Sequence, residues 1–396
     1  MRDGTELTLA LSGTAPEIVL GDGIYVSGLQ RPLVENGSPG QLIPDWMWRN
    51  SFVIGRSVVV RALNPGKATL MGPGICDPDY YPNTCDLVRR RSLNEHRSLG
   101  HAPKYDEYMR VVYIDATHGE NIVLEGLVIM NGNLESDDGG AGIRISGSRA
   151  QVTLNDCVIR NNHASLTSSG LGGAGGGLLI ESFARVTLNR VDIHNNRAYG
   201  TAGGGVMVYS GNVTLNWCNI FHNMVTKNAY STGAGLYFAV RDVNDLYEDW
   251  AIERYDGVPP TNVIMRHCHV FDNRGGGNSV VGGNNRGNGN GIQVERGVNL
   301  IMEYCHIHSH APPTNPQILD DWRGAGMHFK GKSLTMSGCN FTKNRSFQDG
   351  GGLFIEGELT STATITNCVF DQNQANNQVR LHELHTAIIS YRRISP

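Results

Sequence analysis

The segment GGGLLIESFARVTLNRVDIHNN, residues 175–196, contains three short apolar runs. Glycines precede the first run, a pair of asparagines follows the last, and only two residues separate the second run from the third. No connection in this segment is long enough to hold the helix of a crossover between parallel strands. The three predicted strands must therefore pair with strands elsewhere in the chain.

The rest of the chain repeats this segment. The glycine-started run recurs as GAGIRIS (140–146), GGGLLIE (175–181), GGGVMVY (203–209), GAGLYFA (233–239), GNGIQVE (289–295), GAGMHFK (324–330) and GGGLFIE (350–356). Each copy is followed by a second and a third run, which align on one column: Leu127, Cys157, Val191, Cys218, Cys268, Cys305, Cys339 and Cys368. A repeat of roughly thirty residues with insertions indicates a solenoid.

Within each repeat, apolar residues alternate with other residues, which is the period of a β-strand. Three strands per repeat predict an all-β fold, a single-stranded parallel β-helix of about ten rungs in which each strand pairs with its counterparts one rung above and below. We assign residues 1–377 to this helix, with an N-terminal cap at 1–30 and a C-terminal cap or tail at 378–396. The predicted loop insertions are 76–110, 163–174, 240–262, 274–288 and 311–323.

Several phrases resemble known repeats. PEIVLGDGIYVSG (16–28), SVVVRALNPGKATLMGPG (57–74) and ENIVLEGLVIMNG (120–132) resemble the opening rungs of right-handed parallel β-helix proteins of the pectin-lyase-like superfamily. The glycine-rich strand starts, with Phe-x-x-Asn at 341–344 and 370–373, resemble repeats of chlamydial polymorphic membrane proteins. The resemblance implies a right-handed coil. It implies no single activity, because this architecture carries lyases, hydrolases, epimerases and adhesins.

Composition narrows the possible partners. The 396 residues include 33 Lys and Arg and 37 Asp and Glu, a formal net charge of -4. This balance argues against nucleic acid or an anionic membrane as a general partner. No apolar run approaches the roughly 18 residues of a membrane span. The N-terminal segment is a poor signal peptide, so the extracellular or cell-surface location that we expect rests on the resemblance to surface repeats.

The cysteines fall into two groups. Alternation points the six cysteines of the aligned column inward, and we interpret them as a stack of small buried apolar residues, although neighbouring rungs are close enough for disulfides. Cys76 and Cys85 flank the loop DPDYYPNT, and in an extracellular protein we expect them to form a disulfide. The turn after the second strand carries Asn155, Asn189 and Asn216, which predicts a ladder of stacked amides.

The outward face of the glycine-started strand is the predicted functional groove. Its first column holds Arg144, Leu179, Met207, Tyr237, Gln293, His328 and Phe354, and its second holds Ser146, Glu181, Tyr209, Ala239, Glu295, Lys330 and Glu356. Four insertions flank this strand, and insertions of solenoids commonly gather on the binding face. The aromatic rings suit sugar faces, so we expect a polysaccharide or surface glycan as the partner.

Three interpretations of this groove remain open. In a carbohydrate-binding protein, Tyr209, Gln293, Arg323 and Arg345 would contact the glycan. In a polysaccharide lyase, which we favour over a glycoside hydrolase, His328, Lys330 or Tyr237 would remove a proton beside a uronate carboxyl group. In a hydrolase, Glu295 and Glu356 would be the paired carboxylates. Glu295, Lys330 and Glu356 would also form an ordinary charge ladder without any activity.

Metal and cofactor signals are weak. The acidic segments NLESDD (133–138) and RDVNDLYED (241–249) could bind Ca²⁺, but neither has the spacing of an EF-hand loop. The cysteine column matches no CxxC pattern of a zinc site. We therefore assign no metal ligands and expect no cofactor, with Ca²⁺ left open as the alternative.

Overall fold

The computed structural model describes residues 3–26, 50–72, 109–135, 139–165, 173–199, 202–226, 230–240, 259–275, 286–311, 322–356, 361–375 and 386–391. Within these ranges, every pairing between the strands named below is parallel. Each rung contributes one strand to each of three long sheets, so the predicted parallel β-helix is confirmed. We number the strands in chain order and name the sheets A, B and C.

Sheet A contains the second strand of each rung. Its members, in spatial order, are β1 (Glu17–Leu20), β4 (Val58–Ala62), β7 (Asn121–Glu125), β11 (Gln151–Asn155), β15 (Arg185–Asn189), β19 (Asn212–Asn216), β24 (Thr261–Arg266), β29 (Val298–Glu303), β33 (Ser333–Ser337), β37 (Thr362–Asp371) and β39 (Thr386–Tyr391). Like residues stack in register, as Leu154, Leu188 and Leu215 do. The described part of the tail, β39, continues this sheet by pairing with β37.

Sheet B follows sheet A after a two-residue turn. Its members are β2 (Gly23–Val26), β5 (Ala68–Met71), β8 (Leu127–Met130), β12 (Val158–Arg160), β16 (Asp192–His194), β20 (Asn219–Phe221), β25 (His269–Phe271), β30 (His306–His308), β34 (Asn340–Thr342) and the second half of β37. The turn bends at residues with positive φ, among them Trp217 at 59° and Tyr304 at 55°. The predicted amide ladder lies there: Asn189 Nδ2 donates to Asn155 Oδ1 and Asn216 Nδ2 to Asn189 Oδ1, each at 2.9 Å.

Sheet C contains the glycine-started strands. Its members are β3 (Asn50–Ile54), β6 (Arg110–Asp115), β10 (Ile143–Ser146), β14 (Leu178–Ile180), β18 (Val206–Tyr209), β23 (Leu236–Ala239), β28 (Ile292–Val294), β32 (Met327–Phe329) and β36 (Leu353–Ile355). The tyrosine, glutamine and histidine of the predicted groove are register partners on successive strands, since Tyr237 pairs with Gln293 and Gln293 with His328.

Shorter strands lie between sheets B and C. One set comprises β9 (Asn133–Glu135), β13 (His163–Ser165), β17 (Arg197–Ala198), β21 (Met224–Val225) and β26 (Arg274–Gly275). The others are β22 (Tyr230–Thr232), β27 (Arg286–Asn288), β31 (Trp322–Arg323), β35 (Arg345–Ser346) and β38 (Gln374–Ala375). All five predicted insertions overlap strands. Insertion 76–110 ends on the first residue of β6, 240–262 ends on the first two residues of β24, and the other three begin or end in short strands.

One apolar cluster fills the coil from Leu7 to Cys368. Helix α1 (Gly4–Ser12), which Asp3 caps by accepting from Thr5 N and Glu6 N, adds Leu7 and Leu11 to this cluster. The six cysteines of the aligned column are buried and unbonded, which confirms their interpretation as small core residues. Cys76 and Cys85 lie outside the described residues, so their disulfide stays a prediction.

A second amide ladder, inside the coil, follows sheet B. Its members are Asn162, Asn196, Asn223, Asn273, His310, Asn344 and Asn373, at the ends of the Ile-, Val- or Phe-x-x-Asn motifs. Asn223 shows the pattern, since its Nδ2 donates to Ile193 O and Asn273 Oδ1 while its Oδ1 accepts from the backbone of Asn196. The glycine that starts each sheet C strand from β10 to β36 packs against this ladder. A Cβ at Gly235 would lie 2.8 Å from Asn273 Nδ2.

Candidate functional site

The outward face of sheet C brings most of the predicted site residues together. In the middle of the sheet, Tyr209 and Tyr237 meet edge to face at 6.2 Å and pack against a small apolar cluster that includes Leu179 and Met207. The two tyrosines therefore have a packing role, as part of a small apolar cluster outside the main core. Towards the C-terminal end of the sheet, the outward residues are polar, and they form the cluster that we consider below.

The polar cluster is built around His328. The imidazole is fully buried, and its Nε2 lies 3.2 Å from Oε2 of Glu356, whose side chain is 45% exposed. Lys330 Nζ lies 3.9 Å from the same oxygen. The cluster therefore has a buried imidazole at its base and two charged groups at its rim, contributed by strands β32 and β36 and the residues that follow them.

Burial and charge set the protonation states of this cluster. Burial lowers the pKa of His328, and the hydrogen bond to Glu356 only partly opposes this effect. The hydrogen bond from His328 and the charge of Lys330 lower the pKa of Glu356 to about 2. At neutral pH the imidazole is therefore neutral and the carboxylate ionised, so Nε2 carries the proton that it donates to Glu356.

Two buried polar atoms in this cluster have no hydrogen-bond partner among the described residues. They are Nδ1 of His328 and Oε1 of Gln293, which lie on neighbouring strands. The amide of Gln293 donates instead to Glu295 Oε1 at 2.8 Å. With the proton of His328 on Nε2, both of these atoms are acceptors, and a buried acceptor without a partner costs about 1–3 kcal/mol.

The two predicted arginines occupy different places. Arg323 lies beside the cluster, with its guanidinium 5.5 Å from the ring centre of Phe354 and its Nε 3.8 Å from Asp349 Oδ2. Arg345 lies on β35, outside sheet C, and is exposed. The structure therefore places Arg323 with His328 and Glu356 but puts Arg345 on a different strand set.

The outward face of sheet B carries aromatic columns that the sequence analysis did not single out. Phe221, Phe271 and His308 stack at 4.9 Å spacings, and Trp217, His267 and Tyr304 stack at 4.0 and 5.2 Å along the turn. These rings cover each other's faces, which leaves mainly edges for a ligand. The sequence did carry a signal for these columns. Aromatic residues or histidines occur one residue before, one residue after and three residues after a cysteine of the aligned column, as in HCHVF (267–271) and YCHIH (304–308).

Three histidines meet on this face. His269, His306 and His308 each offer a ring nitrogen, and these nitrogens all lie within 4.8 Å of one another. Partial burial is the main cause that lowers the pKa of His306 and brings that of His308 to about 4. These two imidazoles are therefore neutral at pH 7.

The structure describes only a small part of the two segments that were predicted to bind calcium. Residues 133–135 of the first acidic segment form β9, while 136–138 and all of 241–249 lie outside the described residues. The calcium assignment stays a prediction. Among the described residues, no helix is both long enough and apolar enough to cross a membrane.

The comparison with family models agrees with the fold. A family model described as "Right handed beta helix region" matches residues 285–394. Among solved structures, the chain is similar to the A-module of mannuronan C-5 epimerase AlgE4 from Azotobacter vinelandii, at 10% identity over 98% of this chain and 94% of that chain, with a TM-score of 0.37. No curated protein sequence matches. The family match confirms the right-handed coil that the resemblance implied, and the likeness to chlamydial repeats stays a prediction.

Proposed function

We propose that this β-helix binds carbohydrate at the polar cluster of sheet C, formed by His328, Gln293, Glu295, Lys330 and Glu356. The observation that carries the proposal is the pair of buried acceptors, His328 Nδ1 and Gln293 Oε1, without partners among the described residues. A hydroxyl group supplies the missing donor and can accept from a neighbouring group at the same time. Sugars present such hydroxyls in rows, and a parallel coil presents its side chains in rows as well.

The charged rim favours a particular kind of glycan. Glu295 and Glu356 accept hydrogen bonds, while Lys330 and Arg323 provide positive charge near them. A glycan that carries both hydroxyl and carboxylate groups matches this mixture, because a carboxylate can pair with a cation while hydroxyls donate to the glutamates. We therefore propose uronic-acid polysaccharides as the first class to test. An extracellular or cell-surface location is part of this proposal.

One observation favours a second candidate function, a polysaccharide lyase. Glu356 holds the proton of His328 on Nε2, so the lone pair of Nδ1 would be the base for a substrate that reaches this buried atom, and Lys330 is close enough to Glu356 to stabilise negative charge that develops nearby. The same geometry disfavours a hydrolase. A general acid needs a carboxyl group with a raised pKa, whereas the pKa of Glu356 is lowered to about 2.

The experiment compares binding and turnover in rim variants. Lys330→Gln and Glu356→Gln change exposed or half-exposed groups, so the coil should keep its stability while affinity for uronic-acid polysaccharides falls about tenfold or more, the cost of losing one charge-assisted hydrogen bond. Glu303→Gln is the matched control, because Glu303 makes a similar half-exposed ion pair with Arg266 on sheet A.

Two readouts separate the candidate functions. Binding to immobilised polysaccharides tests recognition, and ultraviolet absorbance of unsaturated products tests elimination. Binding without product supports the carbohydrate-binding protein, and product that disappears in Glu356→Gln supports the lyase. If Lys330→Gln and Glu356→Gln bind every polysaccharide as the wild type does, the cluster is only a charge ladder and the proposal is wrong.

A further inference from the structure

The outward face of sheet B presents three imidazoles at one point. His269 lies on β25, and His306 and His308 lie on the next strand, β30. His269 is the direct register partner of His306, and alternation places His306 and His308 on the same side of their strand. The side chain of His269 is exposed and the other two are half-buried, so the point is reachable from solvent.

The spacing of the ring nitrogens suits a metal ion. All three lie within 4.8 Å of one another. Nitrogens bound to one Zn²⁺ lie about 2.0–2.1 Å from the ion and hence about 3.4 Å apart in a tetrahedral site. Small rotations of the three side chains, which move each nitrogen by about 1 Å, would bring them to this distance. The outward position leaves room for such rotations.

Two hydroxyls lie where they can hold the rings. Thr342 Oγ1 is 2.9 Å from His306 Nε2, and Ser309 Oγ is 3.1 Å from His308 Nδ1. A hydrogen bond to one ring nitrogen fixes the tautomer and leaves the other nitrogen as the metal ligand, which is the usual arrangement around bound metals. In His306 this other atom is Nδ1, and in His308 it is Nε2.

The ligand type restricts the metal. Imidazole nitrogen suits zinc, copper and nickel, whereas calcium and magnesium require oxygen ligands. Three protein ligands also leave one position of a tetrahedral ion for water or another group. We propose that His269, His306 and His308 bind one late transition-metal cation, with Zn²⁺ the best fit, and that this ion joins two neighbouring rungs on the face of sheet B.

The chain itself supplies variants that should keep the fold. The column that holds His269 and His306 continues with asparagine on both sides of this pair, with Asn219 next to His269 and Asn340 next to His306. His306→Asn therefore repeats a residue that this column already accepts. His308→Phe likewise continues the stack of Phe221 and Phe271. His194→Phe is the matched control, because His194 stacks on Phe221 in the same column but outside the cluster.

The test uses the full chain without a histidine tag, stripped of metal with a chelator. Titration calorimetry with Zn²⁺ should show one ion per chain, and Co²⁺ should give the intense visible absorbance of a tetrahedral site. The melting temperature should rise with Zn²⁺ concentration, since the ion binds the folded state. His306→Asn and His308→Phe should each weaken Zn²⁺ binding more than about tenfold. Loss of a residue that only hydrogen-bonds a metal ligand already weakens binding by about tenfold, and these variants lose a ligand itself. His194→Phe should bind as the wild type does.

Two outcomes would overturn the proposal. Binding without a defined stoichiometry would mean that the histidines act only as separate weak ligands. Binding of one ion that His306→Asn and His308→Phe leave unchanged would place the metal elsewhere in the chain. Circular dichroism and the melting temperature of the metal-free variants establish that they fold, so a loss of binding cannot be attributed to unfolding.

Discussion

His310 occupies a position that other rungs give to asparagine. Its Nδ1 accepts from the backbone N–H of Asn273 at 3.2 Å, and its Nε2 donates to Val270 O at 3.1 Å. The amide of Asn223, two steps away along the ladder, plays the same two roles: it accepts from the backbone of Asn196 and donates to Ile193 O. The imidazole therefore replaces an amide without leaving a buried group unpaired, at the cost of introducing a titratable group into the core.

This replacement should make the protein sensitive to acid. Burial lowers the pKa of His310 from 6.5 to about 4. The unfolded chain takes up the proton below about pH 6.5 and the folded chain only near pH 4, so protonation favours unfolding and stability falls as the pH drops through this window. The loss from this group is about 3 kcal/mol. His310→Asn should remove that part of the acid loss and leave stability at pH 7 within about 1 kcal/mol of the wild type.

His310→Ala separates titration from hydrogen bonding. It also removes the proton site, but it leaves the N–H of Asn273 unpaired and removes the donor to Val270 O. Its stability should therefore lie about 3 kcal/mol below that of His310→Asn at every pH. Urea unfolding at pH 7, 5 and 4 measures both effects. An acid loss in His310→Asn as large as in the wild type would show that other groups cause it.

At the scale of the element, the ladder explains why glycine starts the sheet C strands. The third residue of each GGG, GAG or GNG motif packs against the ladder residue that follows it in the chain. A Cβ at Gly235 would lie 2.6 Å from Gly291 O and 2.8 Å from Asn273 Nδ2, closer than real Cβ atoms approach. The glycine motif and the x-x-Asn motif therefore pack directly against each other, although they belong to different strands.

Gly235→Ala should consequently destabilise the coil by about 3 kcal/mol, the upper part of the range for overpacked sites, because both neighbours belong to rigid, hydrogen-bonded rows. Gly55→Ala is the control. Its Cβ would meet only Asp115 O at 3.4 Å, and we expect a change within about 1 kcal/mol. Thermal and urea unfolding measure both variants. Equal stability of Gly235→Ala and Gly55→Ala would mean that the strand start can shift to make room.

At the scale of the molecule, repetition determines what the sequence reveals. Stacks such as Leu154, Leu188 and Leu215 recur in every rung, so the fold and the direction of each side chain could be predicted from aligned repeats. The alternation of apolar residues predicts whether a side chain points into or out of the coil, but it does not predict whether solvent reaches that side chain. His328 and Gln293 point outward as predicted, yet both are fully buried. The cluster of His269, His306 and His308 escaped prediction because a site needs distances between side chains, which register alone does not supply.

At the C-terminal end of the coil, strand β39 covers the edge of sheet A. Strand β39 pairs with the first half of β37, from Thr362 with Thr386 to Thr366 with Ser390. Deleting residues 376–396 would expose the unpaired edge of β37, and an exposed edge strand pairs readily with another chain. We expect the truncated protein to form larger, concentration-dependent species in light scattering, whereas deletion of 392–396 alone, which spares β39, should leave the particle mass unchanged. If the longer truncation also stays at the mass of the full chain, β39 does not protect this edge, and the predicted role of the tail as a cap is wrong.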